Sequence, residues 1–251
     1  MVVFTALCAG TGLALLAASI PSLRDGWQER AGQPGELVYV ALGDSAAQGL
    51  GASSTGTSYV GLIASQLAET TGKKVRTINL SKNGATVSDV LAQQVPQLEK
   101  LSGNRNPDLV TLDIGGNDVV HRTQGSDRFR NDYEAVLQAL PPGKAVVADV
   151  PYFGGRIRAD DRVRQANDVI DRLAPRYDIP VARLYDTLKP RQSPWIYATD
   201  LFHPNDRGYR LWHQAFAPHV TTIAQGTRPG GQPVDTDDNP SARQLLPSVT
   251  Y

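Results

Sequence analysis

The chain has 251 residues, with 25 Lys+Arg against 25 Asp+Glu and a hydrophobic fraction of 41%. Zero formal charge argues against a nucleic-acid binder, which needs a basic surplus, and against a polybasic membrane-surface protein. A single cysteine, Cys8, excludes an internal disulfide framework and a cysteine-built zinc site, and four histidines leave little for a His-rich metal site.

No charged residue precedes Arg24, and the run VVFTALCAGTGLALLAASI is apolar or small throughout. It reads as an export signal or an uncleaved membrane anchor, with Ala17, Ala18 and Ser19 as a possible cleavage region. Residues 1–35 are therefore set apart as signal or anchor plus linker. The alternative is a buried helix, against which the lack of a polar face and Pro21 both speak. At the other end, residues 226–251 hold Pro229, Pro233, Pro240 and Pro247 with Gly230 and Gly231. That composition predicts a flexible tail. Residues 36–225 remain as one domain.

Glu36 to Leu42 is a short apolar run bounded by glycines and predicts a buried strand. Tyr59 to Glu69 has helical spacing. Val75 to Leu80 is a second strand, and Ser88 can cap a helix to about Lys100 that Pro96 should bend or shorten. Asp108 to Ile114 is a third strand, Arg128 to Leu140 a helix, and Ala145 to Val150 a fourth strand. Ala159 to Tyr177 carries Val163, Ala166, Val169, Ile170 and Leu173 on one helical face. Pro180 to Leu184 is a fifth strand, and Asn205 can cap a last helix to about Ile223. Strand–helix alternation of this kind predicts an α/β fold with right-handed crossovers and a mostly parallel sheet. Ligands in such sheets bind at the carboxyl ends of the strands.

Four strand ends carry informative residues. Gly43-Asp44-Ser45 follows the first, where Ser45 is either a helix cap or a nucleophile. Asn83-Gly84 follows the second, where Gly84 is either an ordinary turn or a backbone N–H donor. Gly115-Gly116-Asn117-Asp118 follows the third and offers a side-chain N–H from Asn117. Asp200-Leu201-Phe202-His203 follows the fifth. An Asp three residues before a His can hold one imidazole tautomer and leave the other nitrogen as a base. No acid or strand-end position singles out His121, His213 or His219.

Together, in this order, the four blocks resemble those of the SGNH (GDSL-type) hydrolases, a family of esterases and lipases. The resemblance spans about residues 36 to 224. It implies a three-layer α/β/α sandwich on a five-stranded parallel sheet, and no metal or organic cofactor. It implies Ser45 as nucleophile, His203 as base and Asp200 as orienting acid. Ser45 N–H, Gly84 N–H and the Asn117 side chain would form the oxyanion hole. Asp44 is not assigned to the triad, and Asp118 is expected to brace its own loop. The G-x-S-x-G elbow of the α/β-hydrolases is absent at Ser45.

Substrate is less legible. Short connections suggest an open, shallow site suited to short- and medium-chain acyl esters. Trp195, Ile196 and Tyr197 are candidates for an acyl-pocket wall or for the core, and Tyr152 and Phe153 can line the site. A carbohydrate O-acetyl esterase of a cell envelope, a lysophospholipase or thioesterase, and a non-catalytic binding module are the alternatives. The expected partner is a small-molecule, glycan or lipid ester, with membrane association through residues 1–20. No nucleic acid is expected, and the chain is read as an exported monomer.

Overall fold

The computed structural model describes residues 2–103, 105–121, 125–154 and 159–226. The Pro/Gly-rich tail expected beyond Gly226 lies outside them.

Five parallel strands form one sheet in the order β2-β1-β3-β4-β5. They are β1 (Leu37–Gly43), β2 (Val75–Asn79), β3 (Leu109–Asp113), β4 (Ala145–Ala148) and β5 (Val181–Ala182). The strand alternation of β1 divides the core. Val38, Val40 and Leu42 face one layer, and Tyr39 and Ala41 face the other. The first layer comprises α5 (Val95–Ser102), α7 (Ser126–Ala139) and α8 (Asp160–Leu173). The second comprises α3 (Tyr59–Thr71), α9 (Leu184–Leu188) and α10 (Asp206–Ala224). This is the expected three-layer α/β/α sandwich.

Helix boundaries follow local chemistry. Ser58 caps α3 by accepting from Gly61 N–H, and Asn205 caps α10 by accepting from Arg207 and Gly208 N–H. The helix expected to start at Ser88 starts two residues earlier. Thr86 and Asp89 form a reciprocal capping box at α4 (Val87–Asp89), which serves two orphan N–H groups where Ser88 would serve one. A π-turn, Val90–Gln94, then separates α4 from α5. Pro96 follows directly on this π-turn inside one continuous helical run, where the widened turn accommodates its ring and missing N–H. β5 is shorter than Pro180–Leu184 because Leu184 already opens α9.

The amino-terminal region differs most from expectation. Residues 21–32, read as linker, continue one helix, α1 (Val2–Gly32), with Pro21 inside it. Its carboxyl half docks on the domain. Leu23 and Trp27 are buried one turn apart, and Trp27 joins the core layer of α3 and α10. The Trp27 indole N–H donates to Gln48 O at 2.9 Å, and Arg76 Nε donates to Ala31 O at 2.6 Å. The helix thus lies along edge strand β2, its carboxyl end at the start of the strand and its Leu16–Ile20 part beyond the carboxyl end of the sheet.

Trp27→Ala is expected to lower unfolding free energy by about 3 kcal/mol in a urea titration, the usual cost of truncating a buried tryptophan. An unchanged midpoint would show that α1 is not part of the folded unit.

Candidate active site

The site lies where the strand order reverses, between β1 and β3. Gly43 pairs with Asp113 in register at the ends of these strands. Gly43 adopts φ +144°, and a Cβ there would lie 2.2 Å from Asp113 O, so glycine alone permits this approach. The buried Gln94 amide clamps the same residue. Its Oε1 accepts from Gly43 N–H at 2.9 Å, and its Nε2 donates to Gly43 O at 2.8 Å. The chain then turns through Asp44 into the short helix α2 (Ser45–Gln48). Asp44 accepts from Ala46 N–H at 2.9 Å and so caps that helix.

Two cross-ties join this turn to the loop after β2. Asn79 Nδ2 donates to Ala47 O at 2.7 Å, and Gln48 Nε2 donates to Ser81 O at 2.9 Å. Gly84 follows in the left-handed region, at φ +75°. After β3, Asn117 sits in the first turn of α6 (Gly116–His121). Its Nδ2 donates to Ala85 O at 2.9 Å and to Asp44 Oδ2 at 3.3 Å, spanning the first and second loops. Asp118 accepts from Val87 N–H at 3.1 Å, so it braces the neighbouring loop and not only its own, as had been expected.

The fourth segment is a tight turn closed by Ala198 N–H to His203 O at 2.8 Å. Leu201 takes φ +57° within it, which costs about 1–2 kcal/mol for a branched residue. Asp200 Oδ1 accepts from the N–H groups of Phe202 and His203, both at 3.0 Å. Its Oδ2 lies 2.6 Å from His203 Nδ1, and His203 Nε2 lies 2.9 Å from Ser45 Oγ. A carboxylate only accepts, so Nδ1 carries the proton and Nε2 is left to accept from Ser45. Burial pushes the Asp200 carboxyl up, but the His203 ring and the two backbone N–H groups outweigh it and hold the group below its ordinary value.

Ser45, Asn117, Tyr152, Phe153, Tyr197, Phe202 and His203 line one cleft. Phe153 and Phe202 stack at 5.7 Å, and Phe202 meets the His203 ring edge-on at 5.0 Å. Two of the expected wall residues lie elsewhere. Ile196 is buried in the core, and Trp195 is 74% exposed in a neighbouring groove. The short helical turn Pro194–Ile196 points these adjacent side chains in different directions. Gly84 is in the adjoining turn and not among the cleft-lining residues. His213 lies away from the cleft and meets Gln66 Oε1 at 2.8 Å.

Sequence reasoning missed Gln94 and Gly51. Gln94 is the polar member of an otherwise apolar Val90–Gln94–Leu98 stripe, a signal visible in the chain. Gly51, at φ +96°, lets the Ser45 loop approach the His203 loop, where a Cβ would lie 2.3 Å from Pro204 O. Nothing local marks that contact.

The family model for GDSL-like lipases and acylhydrolases matches residues 41–211. The chain belongs to this family. As a GDSL-family protein it is a carboxylic ester hydrolase of the esterase, lipase and acylhydrolase group. Among curated proteins no relative matches the sequence. Solved structures show the same fold at low identity. A lipase/acylhydrolase from Enterococcus faecalis superimposes with TM-score 0.61 at 21% identity, over 74% of this chain and 95% of the other. A lipase from a goat rumen metagenome gives 0.63 at 22%, over 73% and 97%. An acetylxylan esterase from Geobacillus stearothermophilus gives 0.58 at 17%, over 74% and 94%.

In this GDSL-family chain, buried carboxyls gather at and beyond the carboxyl ends of β1, β3 and β4. Burial pushes Asp44 up to about 6, against the Ala46 N–H and the His203 charge. Burial likewise raises Asp118 to about 6 and Asp149 to about 7. Asp113 is held well above its ordinary value by burial and the neighbouring Asp44, opposed by the Trp212 indole N–H. Each group binds its proton more tightly folded than unfolded. For Asp44, Asp118 and Asp149 that stabilisation is full below about pH 4 and is lost as pH rises through 6 to 7. Urea midpoints are therefore expected to fall from pH 4.5 to pH 7.5, with a shallower fall in Asp149→Asn. Equal slopes for the two proteins would remove Asp149 from the set.

Proposed function

We propose that the protein is a serine esterase of short- to medium-chain acyl esters, working through Ser45, His203 and Asp200. The observation that carries this reading is the hydrogen-bonded chain from Asp200 Oδ2 through His203 to Ser45 Oγ, with spacings of 2.6 and 2.9 Å. In this reading His203 Nε2 takes the Ser45 proton as Oγ attacks the ester carbonyl, while Asp200 stabilises the imidazolium. His203 then returns the proton to the leaving alcohol. Water, deprotonated by the same nitrogen, releases the acid from the acyl-enzyme.

The negative charge on the tetrahedral oxygen needs donors. Ser45 N–H is one, at the start of α2. Asn117 Nδ2 is the second, its 3.3 Å contact to Asp44 being the one a developing oxyanion would compete for. Gly84 N–H, from the adjoining turn, is the third. The acyl group would lie between Phe153, Phe202 and Tyr197. That close aromatic wall favours acetate to octanoate over longer chains.

Export with residues 1–20 retained as an anchor is part of the same proposal. In its support, Leu16, Leu23 and Trp27 of one continuous helix are buried against the domain. Cleavage near Ala17 to Ser19 would cut through that docked segment.

A fluorophosphonate probe is expected to label the wild type and to fail on Ser45→Ala. Ser45→Ala and His203→Ala should each lower kcat/KM toward p-nitrophenyl butyrate by about 10^4-fold or more, with unfolding midpoints close to wild type. Retained activity in either would remove that residue from the mechanism. Across a p-nitrophenyl ester series, kcat/KM should be higher for acetate to octanoate than for palmitate. A palmitate optimum would reject the short-chain reading.

A further inference from the structure

The exposed large hydrophobic side chains among the described residues are Trp195, at 74%, and Leu201, at 53%. Both line one groove with Pro194, Ala198 and Thr199, beside the turn that carries Asp200 and His203. Leu201 reaches its position from a left-handed backbone, at φ +57°. Ala198, on the same rim, packs with Ile20 against the buried cluster of Leu16, Leu23 and Leu50. Leu50 lies just beyond the helix that Ser45 opens. The amino-terminal helix therefore meets the domain at the rim of the catalytic cleft.

Its composition sets what that rim faces. Residues 2–20 carry no charge, and the first charged side chain is Arg24. At 1.5 Å per residue this stretch is about 28 Å long, close to the roughly 30 Å hydrocarbon thickness of a bilayer. Leu16 and Ile20 belong to that stretch and also to the contact with the domain. There is no spacer between the two. If the uncharged stretch occupies a bilayer, Leu50, Ala198 and the groove beside them must sit at the headgroup level. Tryptophan suits that level, having an apolar body and a polar N–H.

We propose that the Trp195–Leu201 rim is a membrane-docking surface, which presses the mouth of the catalytic cleft against a lipid bilayer. This rests on the anchor reading of residues 1–20. The occupant is the bilayer surface itself, and the substrate would enter from the lipid side of the cleft.

Tryptophan emission reports the contact directly. Trp27 and Trp212 are buried in the domain, at 5% and 4% exposure, so the response of the surface belongs to Trp195. The full chain is mixed with phosphatidylcholine vesicles, with and without 6,7-dibrominated phosphatidylcholine, and Trp195→Phe gives the background. The full chain should float with the vesicles, shift its emission to the blue, and lose about half of the Trp195 component to the brominated lipid. Flotation with an unshifted and unquenched Trp195 component would overturn the docking surface and leave the anchor standing. Failure to float would overturn both. Esterase activity on soluble p-nitrophenyl butyrate without vesicles is read in parallel, so a failure of the catalytic reading is seen separately.

Discussion

The proposed chemistry depends on one contact between groups 158 positions apart, Ser45 Oγ and His203 Nε2 at 2.9 Å. A sheet alone does not deliver that precision. The serine side is fixed by the Gln94 clamp on Gly43 and by the Asp44 cap on α2. The histidine side is fixed by the Asp200 carboxylate, which takes both backbone and ring N–H groups of His203. The two sides are then tied to each other. Tyr209 OH donates to Leu50 O at 2.7 Å, and Asp206 accepts from Ser53 N–H, Ser53 Oγ and Thr57 Oγ1. Gly51 allows the loops to touch where a side chain would hold them apart. The first turn of α10 thus serves the Ser45 loop as much as its own helix.

The carboxyls beneath the cleft show the cost of building such a site at a sheet switch point. Asp44, Asp113 and Asp118 are all buried where β1 and β3 end. Each is met by a donor, yet burial still raises all three. Asp200 is the exception, because three N–H donors converge on it. One environment thus keeps a carboxylate charged beside the histidine while its neighbours lean toward the neutral acid.

Much of this was legible in the chain. Strand positions follow from short apolar runs between glycines, and the last helix from Asn205 and its periodic face. The blocks around Ser45, Gly84, Asn117 and His203 could be placed because each follows a strand, and in this topology strand ends converge. What was not legible is non-local. The length of β5 depends on α9 beginning at Leu184. The different fates of Trp195, Ile196 and Tyr197 depend on a helical turn and its partners. Gln94 announced itself only as a polar break in an apolar stripe. The docking of α1 was masked by Pro21 and by the low polarity ahead of it, although Leu23 and Trp27 lie one helical turn apart.

That docking bears on how the chain survives trimming. β2 pairs with β1 on one side only, and α1 lies along it. A protease cutting between Gly32 and Leu37 would leave Ser45, Asp200 and His203 in place but uncover an unpaired strand edge and the socket of Trp27. Bare edges of this kind recruit strands from other copies. The amino-terminal helix is therefore also a guard against self-association, and its loss would be felt first as aggregation.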